Sequence, residues 1–141
     1  MNLQPTVLRV RDGDLAEAGS WVYVWIRPGT ERRIVFVGAT GLPPAARVWL
    51  HLHDRDSEVG WMGHRYPAAG GDLREPLDVV AFPVPESVAR RAVRDALIKR
   101  LAEAGELSPH YCGFAPVAEE GDAEAVAVAE ALQQQLALYR S

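Results

Sequence analysis

The six residues Trp21-Val22-Tyr23-Val24-Trp25-Ile26 form an unbroken apolar run of aromatic and β-branched types. A strand with one wet face alternates polar and apolar residues; this one does not, which predicts a central strand covered on both faces. Trp21, Tyr23 and Trp25 then share one face, and Val22, Val24 and Ile26 the other. Residues 27–33 carry Pro28-Gly29 turn chemistry, and Ile34-Val35-Phe36-Val37-Gly38 is a second apolar run. The two runs therefore pair as an antiparallel hairpin.

After Gly38, Pro43 and Pro44 suit the first turn of a helix that meets no further proline or glycine before Asp54. Residues 54–76 are polar and glycine-bearing, a long surface excursion with room for one helical turn. Residues 77–84 read as a third strand, with Pro83 at an edge or an end. Pro85 and Glu86 open a helix that runs to Gly105, with Val93, Leu97 and Leu101 on its apolar side and Arg90, Arg91, Arg94 and Arg100 on its polar side. Asp122 caps a last helix within 119–140, whose stripe of Ala125, Val128, Leu132, Leu136 and Tyr139 is expected to pack on the sheet. No repeat or linker divides residues 1–141, so the expectation is a single α/β domain.

Composition bounds the function. With 141 residues, 48% hydrophobic and 24% charged, the chain suits one ordinary globular domain. Fifteen basic against nineteen acidic side chains leave a net charge of −4, so no global positive field serves a nucleic-acid partner and any such partner must be met locally. Residues 86–100 are locally basic and residues 101–141 acidic, which fits either internal pairing or a phosphate-facing patch. The single Cys112 excludes an internal disulfide and a Cys-rich zinc site, and reads as a buried thiol in a reducing compartment. No apolar run approaches the roughly 18 residues of a membrane span. The opening MNLQPTVLRVRDGD lacks a signal peptide's apolar stretch, so a cytoplasmic protein without a membrane partner is expected. The oligomeric state stays open.

Arg47 and His51, four apart, share one helical face, with Asp54 about a turn further on. Trp21-Val22-Tyr23, then Phe36-Val37-Gly38-Ala39-Thr40, then Arg47 and His51 together resemble the GIY-YIG nuclease superfamily. In that family a Gly-Ile-Tyr strand is followed by a Tyr-Ile-Gly strand and then by a helix bearing an arginine and, in many members, a histidine or tyrosine. The likeness extends through Arg94-Asp95-Ala96-Leu97-Ile98-Lys99-Arg100-Leu101 and Pro109-His110-Tyr111-Cys112, spanning about residues 20–112 in order. It implies a small three-stranded antiparallel sheet flanked by helices, here with an added C-terminal helix. It also implies cleavage of DNA or RNA phosphodiesters with one divalent ion, magnesium or manganese. By motif position Tyr23 would help activate water, Arg47 would hold the phosphate and His51 would assist, while Gly38, Thr40, Arg94 and Lys99 would lie along the substrate.

The chain departs from that pattern. Trp21 replaces the first glycine, Phe36 the second tyrosine and Cys112 the asparagine; the helix arginine comes one residue late, and Arg94 stands where the metal-binding glutamate is expected. An arginine cannot ligate a cation. If Glu86 or Asp95 took over the metal, the protein would be an endonuclease. If not, Arg94 would convert a hydrolytic pocket into an anion-binding one, a nucleic-acid-binding or protein-interaction module. His51, His53, Asp54 and Asp56 imitate a metal cluster, but on a helix His51 and His53 point about 200° apart. Trp21 and Trp25 read as core, and Trp61, between Gly60 and Gly63, as the best base-stacking candidate.

Overall fold

A computed structural model describes residues 1, 3–56 and 60–139. The chain forms β1 (Val10–Arg11), β2 (Asp14–Leu15), β3 (Trp21–Ile26), β4 (Ile34–Thr40), α1 (Pro44–His53), α2 (Met62–Ala68), β5 (Asp78–Pro83), α3 (Arg90–Glu103) and α4 (Ala123–Leu138). Its described residues form a mixed α/β fold with a three-stranded antiparallel sheet, ordered β4-β3-β5, and four helices. No helix among the described residues is long and apolar enough to cross a membrane.

The WVYVWI run is the middle strand, and its alternation sorts the core into two layers. Val22, Val24 and Ile26 pack with Val93, Leu97 and Leu101 of α3 and Ala125, Ala129, Leu132 and Leu136 of α4. Tyr23 and Trp25 pack on the opposite face with Val35, Phe36, Met62 and Tyr66. Adjacent residues Val35 and Phe36 share that face because the β3–β4 register slips by one between Trp25↔Phe36 and Ile26↔Ile34, leaving Val35 as the extra residue. Trp25 is buried, whereas Trp21 at the strand's start is only half-buried.

Three expectations need correction. The helix expected from Pro85 begins at Arg90, because Pro85 to Val88 close a separate turn and Ala89 is extended, with ψ at 114°. It ends as expected at Gly105, whose φ of +72° is the left-handed conformation that glycine adopts without strain. The excursion after α1 contains α2, which buries Met62 and Tyr66 and so ties the segment to the core. The last helix, capped by Asp122 accepting from the Ala125 N–H, packs chiefly on α3 rather than on the sheet, with Ala129 in its buried stripe and Val128 beside it. Asp12 and Gly13, with φ of 52° and +79°, also turn a short hairpin between β1 and β2. That Asp-Gly pair is a recognised hairpin signal.

Candidate anion-binding site beside Tyr23

Tyr23 lies mid-strand in β3, paired across the ladder with Gly38 on β4 and Ala81 on β5. A Cβ on Gly38 would stand 2.3 Å from both Cζ and the hydroxyl of Tyr23, so the glycine is what lets the phenol lie flat against the neighbouring strand. Phe36 stacks on the same ring at 6.2 Å and meets the His51 ring edge-on at 5.0 Å. It retains the aromatic wall without a second hydroxyl.

The i, i+4 spacing on α1 aims Arg47 and His51 at this phenol. The Gly60 carbonyl can only accept, so His51 Nδ1 carries the proton and donates to it at 2.8 Å. His51 Nε2 is therefore the lone-pair nitrogen and accepts the Tyr23 hydroxyl at 2.5 Å. Arg47 Nε donates to the same phenol oxygen at 3.4 Å. Burial lowers the His51 pKa below its ordinary value, the Gly60 hydrogen bond opposes this, and the charges of Arg47 and Arg65 add to the lowering. Burial raises the Tyr23 pKa, against the Arg47 hydrogen bond and the charges of Arg47 and Arg94. At neutral pH the pair is a neutral phenol donating to a neutral imidazole, with a guanidinium beside them.

This group lines a cavity of about 330 Å³ into which Arg47, Arg65, Arg91 and Arg94 converge, with no aspartate or glutamate among its described lining residues. Arg94 is held over the Phe114 ring, its guanidinium carbon 4.1 Å from the centroid, while its Nε donates to Asp95 Oδ1 at 3.0 Å. Four guanidinium groups and no carboxylate recognise an anion with several oxygens, as a phosphate has. A larger cavity of about 410 Å³, near the β3–β4 turn, mixes Glu31 and Glu106 with Arg32 and Arg33 and has no such convergence.

Comparison with protein-family models, curated proteins and solved structures returns no match.

The structure thus brings Tyr23, Arg47, His51 and Arg94 together and separates the rest of the expected set. Gly38 seats the phenol from behind and is not among the lining residues. Thr40 is buried, and its Oγ1 accepts from the Leu42 N–H at 3.0 Å, closing the turn into α1. Lys99 points away: its Nζ donates to the Ala118 carbonyl at 3.1 Å and lies 3.7 Å from Glu120. Five residues beyond Arg94 the helix has turned about 140°, which removes Lys99 from the cavity. The basic run on α3 therefore divides. Arg90 pairs with Glu17, Lys99 with Glu120, and Arg100 donates to Gln133, while Arg91 and Arg94 face the cavity.

Arg65, Arg91, Gly60 and Phe114 complete the site without having been expected there. Arg91 carried a signal, standing three residues before Arg94 on the same face; Arg65 did not, since its position depends on α2. The described residues do not fit a divalent cation of the kind the family likeness implies. Asp95 is engaged by Arg94, and Glu86 borders a different cavity with Glu17 and Arg90. No group of three metal-ligating side chains exists among the described residues. In the HLHDRD segment His51 is committed to Tyr23 and Gly60, His53 lies tilted against the Trp49 ring at 4.6 Å, and Asp54 accepts from the Asp56 N–H. Trp61 donates its indole N–H to the Leu52 carbonyl and carries Arg55 on its ring at 5.2 Å.

Proposed function

We propose that the chain is a divergent GIY-YIG-like protein that binds a nucleic-acid strand by gripping one backbone phosphate in the arginine-lined cavity. The observation that carries this is the convergence of Arg47, Arg65, Arg91 and Arg94 on the Tyr23–His51 pair, with no carboxylate lining the described part of the cavity. The order of the sequence motifs supports the family reading, and the strand-hairpin-helix arrangement that unites Tyr23 with Arg47 is the geometry it needs. Arg94 in the glutamate's position favours anion recognition over a cation-borne water as the role of this cavity. A net charge of −4 makes the interaction local, so binding depends on this cavity rather than on a broad positive surface. The same reading places the protein in the reducing cytoplasm, with Cys112 as a packing thiol pushed up to about 11 by burial.

Anisotropy titrations of labelled RNA and DNA strands over a range of salt test this. The expected result is affinity that falls linearly with the logarithm of salt, and a slope reduced by about one unit in Arg47→Ala or Arg94→Ala. Salt-independent binding, or variants that bind like the parent chain, would refute it.

A further inference from the structure

We propose that the cavity cleaves RNA but not DNA, without a metal ion, by drawing the proton from a ribose 2′-hydroxyl through Tyr23 to His51. This rests on the phosphate-binding reading above and names the strand it acts on.

Breaking a phosphodiester needs a nucleophile, a base and a positive environment for the extra charge on phosphorus. Positive charge comes from Arg47, Arg65, Arg91 and Arg94. A base is also present. The Gly60 carbonyl fixes the His51 proton on Nδ1, so Nε2 is a committed acceptor, and it is reached through the Tyr23 hydroxyl at 2.5 Å. The phenol oxygen donates to His51 and accepts from Arg47, and Tyr23, though almost wholly buried, borders the cavity, where the second lone pair of that oxygen would meet a hydroxyl.

The described lining offers no carboxylate to hold a cation that would acidify water, and bulk water gives up a proton to a neutral imidazole very reluctantly. RNA carries its own nucleophile beside the phosphorus, and well-oriented intramolecular attack is worth effective concentrations of about 10⁵–10⁸ M. Tyr23 itself is a poor nucleophile here. Gly38 backs its ring so closely that even one Cβ would stand 2.3 Å from the hydroxyl, which denies a phosphoryl group that flank.

The step balances as follows. The 2′-hydroxyl proton moves to the Tyr23 oxygen while the phenol proton moves to His51 Nε2. The 2′-oxygen bonds to phosphorus and the bond from phosphorus to the 5′-oxygen breaks. The departing 5′-oxygen takes a proton from water, and His51 returns its proton to the hydroxide so formed. The products are a 2′,3′-cyclic phosphate and a 5′-hydroxyl, with no redox change.

The experiment incubates the full chain in EDTA with one mixed-sequence single strand made as RNA, as all-2′-deoxy and as all-2′-O-methyl, measuring binding and end groups together. Expected are cyclic-phosphate and 5′-hydroxyl ends from the RNA, and salt-sensitive binding without cleavage of the two blocked strands. Tyr23→Phe should lose about 10²-fold or more in rate with binding within about twofold. His51→Gln should lose as much and also lose the acidic limb of the pH–rate profile; among the described residues Tyr23 of β3, Arg47 of α1 and Arg65 of α2 act on the ring, and Arg91 and Arg94 of α3 line the same cavity. If a variant fails to fold, the blocked strands on the unaltered chain still carry the test. Salt-sensitive binding of RNA with no cleavage overturns this inference and leaves the phosphate reading standing; no binding overturns both. Cleavage of the all-deoxy strand, cleavage that requires magnesium and leaves 5′-phosphates, or an undiminished rate in Tyr23→Phe each overturns the inference alone.

Discussion

Gly38 and Tyr23 face each other across the β3–β4 ladder with no space between the glycine's Cα and the phenol for a side chain. The glycine is therefore part of the site without touching what the site would bind. Gly38→Ala forces the ring off β4, breaking its alignment with His51. Overpacking of this kind costs about 1–3 kcal/mol, so a lower Tm is expected together with weakened strand binding. A fully stable alanine variant that binds normally would show that the phenol is not seated this way.

Protonation of His51 sets an acid limit on stability. Burial holds its folded-state pKa below the value of about 6.5 that the unfolded chain has. Its contribution is therefore complete above the unfolded pKa and is lost as the pH falls through the folded one. Urea melts at pH 7.5 and at pH 5 should show a loss approaching about 1.4 kcal/mol for each pH unit between the two pKa values. Because His51→Gln lacks this titration, its loss over the same interval should be smaller. Equal losses in both proteins would remove His51 from the account.

Phe114 carries Arg94 on its ring and lies 6.3 Å from the ring of Phe36. The ring is about half exposed and holds the guanidinium at 4.1 Å, an interaction worth roughly 0.5–1 kcal/mol at such a site. Phe114→Ala should weaken strand binding about two- to fivefold, as anisotropy would read it, with Tm nearly unchanged.

Lys99 and Arg91 make a matched pair on one helix. Lys99 secures the connector at residues 118–120, whereas Arg91 faces the cavity. Lys99→Ala should leave binding and its salt slope unchanged and shift stability by no more than about 1 kcal/mol. Arg91→Ala should lower the slope by about one unit. The opposite pattern would mean that the phosphate lies on the other side of α3.

What the sequence made legible was whatever local pattern decides alone. WVYVWI is apolar on both faces, and only a middle strand satisfies that; IVFVG across a Pro-Gly turn then has one place to pair. Arg47 and His51 follow from helical spacing once the Pro43-Pro44 start is read. Lys99 was misplaced because a run of charges on a helix says nothing of which residues a distant connector will neutralise, and here that connector is residues 118–120. α2 is legible only as room for one helical turn because it is short, has glycine in its first turn and carries Pro67 within it, so its full length depends on the burial of Met62 and Tyr66. Arg65 and Gly60 reach the site through that tertiary packing, which no spacing rule reports.

The most direct test is a side-chain NMR titration of the arginine Nε–H groups with a single-stranded oligonucleotide at low salt. The resonances of Arg47, Arg65, Arg91 and Arg94 should move together and saturate at one concentration, while Arg32, Arg33 and Arg100 stay fixed. Shifts centred on Arg32 and Arg33, with the four cavity arginines unmoved, would contradict a phosphate held against Tyr23.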